Sequence, residues 1–318
     1  MRGKNELVPA AIGQTSRYKS TMRLMRRNWV LYLLLLPALI YIIIFNYAPM
    51  YGIQIAFRNF TFADGITGSK WVGWKWFKFF FNSAKCWPLI RNTLIISFYS
   101  LLAGFPIPII LALMLHNIPS QKFKRAAQTI TYLPHFISLV VVVGMISCFT
   151  SINSGWINTL IEALGGERMY LMGKPEYYRH IYVWSGVWQE AGWGSIIYMA
   201  ALTGVAPELH EAATIDGASK LQRIRHIDLP AILPTITIML IMRCGSIVSV
   251  GFDKSYLMMN DLNMEVSEVI STYTYEMGLL SGKYSYSTAI SLFNNVLNFI
   301  FLTSVNKLSK IVSGNSLW

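Results

Sequence analysis

Pro207-Glu-Leu-His210-Glu211-Ala212-Ala213-Thr-Ile215-Asp216-Gly217-Ala218-Ser-Lys220-Leu221-Gln-Arg223-Ile224-Arg225-His226-Ile227-Asp228-Leu229-Pro230 stands between two long apolar blocks. It is longer than a link between neighbouring membrane helices needs. Pro207 suits a first helical turn, and Glu208 and Glu211 follow it near the positive end of the helix dipole. Ala212, Ala213 and Ile215 offer a small, closely approachable face, and Gly217 permits a sharp turn. Leu221, Ile224 and Ile227 then recur at helical spacing with Arg223 and Arg225 between them. Pro230 and Pro234 are expected to interrupt the helix near its re-entry into the membrane. The stretch reads as two short helices and a turn, pinned between two spans, that a partner can push as one body.

The flanking composition explains what it is pinned to. Of 318 residues, 54% are hydrophobic and only 13% charged, about half the charge of an ordinary soluble domain. Six apolar blocks approach the ~20 residues that cross a hydrocarbon layer: Trp29–Phe45, Asn92–Leu115, Ala126–Phe149, Ile181–Gly204, Ile232–Phe252 and Thr288–Val305. The first is long for a signal peptide, and no small-x-small cleavage site follows it, so a retained helix is expected. The net charge of +12 does not indicate nucleic acid, because the basic residues sit in connections rather than on a soluble module. Cys86, Cys148 and Cys244 show no metal spacing.

Charge placement orients the spans. The N-terminal tail (Arg2, Lys4, Arg17, Lys19, Arg23, Arg26, Arg27), the second-to-third connection (Lys122, Lys124, Arg125), the quoted loop and the C-terminal tail (Lys307, Lys310) are basic and fall on one side, the expected cytoplasm. The last outer loop is acidic, whereas the first is basic (Arg58, Lys70, Lys75, Lys78, Lys85, Arg91 against Asp64) and runs against the trend. That first loop also holds Trp71 to Phe81, rich in Trp, Phe and Lys, which suits an interfacial anchor. The expected organisation is a basic tail at 1–28, a first helix at 29–45, an outer loop at 46–91, a five-helix core at 92–305 that includes 207–230, and a cytoplasmic tail at 306–318.

Glu211-Ala212-Ala213, three residues, Gly217, nine residues, Ile227, one residue, Leu229-Pro230 resembles the EAA loop of ABC importer permeases. Asn46–Gly52, Tyr132–Ser138, Gly251–Asp253 and Tyr284–Ala289 look like the oligosaccharide and polysaccharide permeases of that superfamily, close to maltose and alginate importer subunits. The resemblance implies an all-α membrane protein with six transmembrane helices of the type I (MetI-like) permease fold and a cytoplasmic coupling helix. It implies a heterodimer with a second permease, two ATPase subunits and an extracytoplasmic sugar-binding protein, in the plasma (inner) membrane. Glu211, Ala212, Ala213, Asp216, Gly217, Ala218, Ile227, Leu229 and Pro230 would then form the ATPase-coupling site. The chain has no G-x-x-x-x-G-K-[ST] sequence, so ATP and magnesium are expected on the partner ATPase and no catalysis on this chain.

Polar groups inside spans commonly face a pathway or a protein interior. Trp184, Trp188, Gln189, Glu190 and Trp193 mix aromatic faces for sugar C–H surfaces with groups that bond hydroxyls; the alternative is helix packing with an interfacial belt. Arg243 is open to a pair with Glu190 or to an anionic sugar, and Asn294, Asn295 and Asn298 either line the pathway or bond helices together. An ion-gradient transporter would bring internal repeats, and none is evident. An intramembrane enzyme would need converging ligands or bases, yet His116, His135, His180, His210 and His226 are scattered near span ends and read as interfacial or solvated.

Overall fold

The computed structural model describes residues 24–314 and Ser316, so Arg2, Lys4, Arg17, Lys19 and Arg23 of the basic tail lie outside the described residues. The chain divides into two units, Met1–Gln54 and Ile55–Trp318. Most of the described part of the first unit is helix α1, Trp29–Phe57, which runs well past the expected end at Phe45. None of its residues from Trp29 to Met50 is buried, as befits a helix whose solvent is hydrocarbon.

The second unit is built from α2 (Cys86–His116), α3 (Gln121–Phe136), α4 (Leu139–Thr150), α5 (Pro175–Leu202), α6 (Pro207–Ile215), α7 (Lys220–Cys244) and α8 (Tyr284–Ser313). Among the described residues, α1, α2, α7 and α8 are long and apolar enough to cross a membrane, and the α3–α4 pair makes a fifth if it counts as one span. The 28 residues of α5 reach about 42 Å, but Glu176, Arg179, Gln189, Glu190 and its Trp and Tyr residues make it less apolar.

Three further expected blocks differ from the structure. Ala126–Phe149 is a pair of helices bent by 98° rather than one helix. Pro134 enters a tight turn at Leu133–Phe136, and the Ser138 hydroxyl accepts from Val141 N to start α4 afresh. Ile232–Phe252 ends as helix at Cys244, and a turn and extended segment follow to Gly251. The sixth helix continues through the expected tail to Ser313.

Burial follows helical spacing. Leu89, Asn92, Thr93, Ile96 and Ser97 form the inward stripe of α2, and α5 packs along both halves of α2, along α3 and along α7. At Gly192 the α5 backbone meets α3 so closely that an added Cβ would collide with the Thr131 carbonyl. The Trp71–Phe81 segment divides its work. Phe77 and Phe80 are buried with Ala289, Leu292 and Phe293 of α8, while Trp71, Trp74, Phe79 and Phe81 stay exposed.

Candidate functional site

A cavity of about 500 Å³ opens among α2, α5, the end of α7 and the segment after it. Its wall includes Tyr182, Glu190 and Trp193 from α5, Arg243 from α7, and Lys254 from the short helix Phe252–Met258. Glu190 meets His135 rather than Arg243: His135 Nδ1 lies 3.0 Å from Glu190 Oε2. The His135 ring stacks on Trp193 with centroids 4.5 Å apart and planes 4° apart. The elbow before α4 therefore presents His135 to the cavity wall, a role that its place in Tyr132–Ser138 did not disclose.

Arg243 shares the cavity without pairing to Glu190, and its guanidinium lies against Gly104, where an added Cβ would stand 3.2 Å away. Lys254 is buried; its Nζ donates to the Tyr182 carbonyl at 2.8 Å and lies 4.8 Å from the centre of the Tyr182 ring. Burial pushes the Lys254 ammonium down to about 8, opposed by the Glu190 carboxylate. No sequence pattern marks Lys254, because it follows an aspartate in an acidic loop.

The remaining pathway candidates separate. Gln189 is buried and its Nε2 donates to the Ile137 carbonyl at 3.0 Å, which ties α5 to the α3–α4 elbow. Trp184 donates to the Tyr99 hydroxyl, and Trp188 is exposed away from the cavity lining. Asn298 accepts from Val248 N at 2.9 Å and donates to Ser249 Oγ at 2.8 Å, so it joins α8 to the chain after α7. Asn294 and Asn295 are likewise absent from the cavity wall.

The 207–230 stretch closes as a defined turn. Ala218 N donates to the Ala213 carbonyl at 2.8 Å and Gly217 N to the Thr214 carbonyl at 3.1 Å, with Gly217 at φ 77°. These are the paired bonds of a Schellman C-cap. Ser219 and Gln222 then form a reciprocal capping box. Arg223 Nη1 donates back to Thr214 Oγ1 at 2.8 Å and locks the turn. Glu211, Ala212, Asp216, Gly217, Leu229 and Pro230 are exposed, whereas Ala213, Ala218 and Ile227 are half-buried.

The second helix of the stretch is not separate and the prolines do not interrupt it. α7 runs unbroken from Lys220 to Cys244. A π turn at Ile224–Asp228, in which Leu229 N reaches the Ile224 carbonyl, widens the helix just before Pro230. The extra residue absorbs the missing proline N–H and makes room for its ring.

Residues 104–313 match the family described as "Binding-protein-dependent transport system inner membrane component". The chain belongs to that family. Its relatives include Protein LplB of Bacillus subtilis (strain 168), 43% identical over 291 residues that span 92% of each chain. The polygalacturonan/rhamnogalacturonan transport system permease protein YteP of the same organism is 40% identical over 303 residues, 95% of this chain and 94% of that one. Among solved structures, a chain of a bacterial ABC transporter involved in import of the acidic polysaccharide alginate aligns with TM-score 0.85 at 40% identity, over 92% of this chain and 99% of that one. A bacterial alginate ABC transporter in complex with an alginate pentasaccharide-bound periplasmic protein gives TM-score 0.85 at 39% identity, over 93% and 99%. Family membership makes this chain a transport component of an inner membrane.

Proposed function

We propose that this chain is one of two permease subunits of an ATP-driven, binding-protein-dependent ABC importer whose substrate is an acidic oligo- or polysaccharide. The observation that carries the substrate class is the cavity in which Arg243 and Lys254 stand with Trp193 and Tyr182. Guanidinium and ammonium groups suit uronate carboxylates, and aromatic faces suit sugar C–H surfaces. The relatives named for polygalacturonan and alginate support the same chemistry.

In this reading α6 is the coupling helix. Leu209, Ile215 and Leu221 are exposed apolar side chains beside the exposed acids Glu211 and Asp216, a surface suited to a cleft on a separate ATPase subunit. Force has a direct route to the cavity. The 25 residues of α7 form a rod of about 37 Å that begins in the locked turn and carries Arg243 near its far end. With the α3–α4 pair taken as one span, the apolar spans and α5 would make six crossings, and the basic short connections favour both termini in the cytoplasm. ATP and magnesium would act on the partner ATPase.

The test is the importer reconstituted with its partner permease, ATPase subunits and binding protein. Binding protein loaded with a short oligogalacturonate is expected to stimulate ATP hydrolysis, and Arg243→Gln to lower uptake of that acidic sugar at least tenfold. An ATPase unresponsive to every saccharide, acidic or neutral, would remove the sugar role. Gly217→Pro is expected to weaken copurification with the ATPase; intact assembly and uptake would sink the coupling assignment.

A further inference from the structure

We propose that His116, His210 and Asp228 bind a divalent transition-metal ion, with zinc the ion best suited to this donor set, and that the ion clamps α6 to the end of α2 and to the π turn of α7. One ligand atom from each of the three residues lies within 4.8 Å of the other two. His210 Nε2 and Asp228 Oδ1 are 3.1 Å apart. Two imidazoles and a carboxylate bound at about 2.0–2.2 Å in a tetrahedron stand roughly 3.3–3.6 Å from each other. One edge of such a site is therefore a few tenths of an ångström short of its bonded spacing, and small side-chain rotations open it and close the others.

Three buried polar atoms in this cluster point to a ligand. Asp228 is completely buried, which is costly for a carboxylate without full compensation. Among the described residues its Oδ1 has no hydrogen-bond partner, and neither does His210 Nε2 or His116 Nδ1, although all three atoms are closed to solvent. His210 and Asp228 thus face each other at contact distance without hydrogen-bond alignment. A cation between them satisfies all three orphaned atoms at once. Asn117 Nδ2 donates to Asp228 Oδ2 at 3.2 Å and holds the carboxylate with its other oxygen free, as a supporting residue does behind a metal ligand. The donors come from three elements: His116 ends α2, His210 sits in α6, and Asp228 closes the π turn of α7. A bound ion would fix the moving helix to two spans and so set how freely it rocks.

The experiment uses the full chain purified with its partner subunits under chelator, then equilibrated with micromolar Zn²⁺ or with Mg²⁺ as a control. Metal analysis after desalting is expected to find one zinc per permease chain, no retained magnesium, and a rise in melting temperature of roughly 5 °C with zinc. His116→Gln and Asp228→Asn are expected to lose the zinc and the thermal shift. His226→Gln, at an exposed histidine of the same loop, is expected to keep both. Retention of zinc by the His116→Gln/Asp228→Asn double variant, or no stoichiometric zinc in the wild type, would overturn the site and leave a buried His–Asp contact only. Neither readout depends on the identity of the transported sugar.

Discussion

Lys254 shows how a single burial sets behaviour. Because burial lowers its ammonium from the usual 10.5 to about 8, the folded chain binds fewer protons than the unfolded chain between those values. Stability therefore rises with pH across that window, by on the order of 3 kcal/mol at most, and the penalty is in full force below pH 8. Melting in detergent from pH 7.5 to 10 is expected to show this rise in the wild type and to lose it in Lys254→Met. Binding of an acidic sugar runs the other way. Its uptake should fall as Lys254 loses charge above pH 8, whereas Lys254→Arg should keep the cation and flatten the profile. The facing groups in the cavity are Glu190, Arg243 and Tyr182. A wild-type uptake profile flat from pH 7 to 9 would remove Lys254 from the substrate path.

A helix contact and a helix cap carry predictions at the next scale. Gly192 lets the α5 backbone touch that of α3 at Thr131, so Gly192→Ala forces the pair apart. It should destabilise by about 1–3 kcal/mol, as overpacking does, seen as a lowered melting temperature with the same helical content. Gly217 sits at φ 77° with open space around it, so the loss on Gly217→Ala is backbone strain alone. That costs roughly 1–2 kcal/mol, and coupled ATPase activity should fall while the membrane helices remain folded. Elements like these were largely readable. Pro207 and Gly217 mark a start and a stop in the residues themselves, whereas the new start at Ser219 came from the structure. Pro230 was not readable, because whether it breaks the helix depends on whether a π turn precedes it, and Ile224–Asp228 supplies one; Pro234 sits inside the α-helical run that follows.

At the scale of the whole molecule, exposure identifies the solvent. Leu33, Leu34, Leu35 and Leu36 on α1 are all exposed, which water does not tolerate over a helix of that length. Leu35→Arg should oppose insertion of α1 by about 2.5–3.5 kcal/mol, measurable as the inserted fraction in a translocation assay. Orientation has its own check. Asp216→Cys, in a chain with its three native cysteines replaced, should react with an impermeant maleimide in inside-out vesicles and not in right-side-out ones. Labelling from the outside would invert the proposed topology.

The amino-acid sequence by itself determined the apolar blocks, the charge bias of their connections and the capped turn at 207–230, because each depends on residues within a few turns of one another. The tertiary structure alone decided the pairings. His135 rather than Arg243 reaches Glu190, Lys254 turns inward, the asparagines of α8 leave the cavity, and His116, His210 and Asp228 converge. Those groups lie tens to more than a hundred residues apart on different helices. Their meeting depends on crossing angles and on a bend such as that between α3 and α4, and local periodicity carries no record of either.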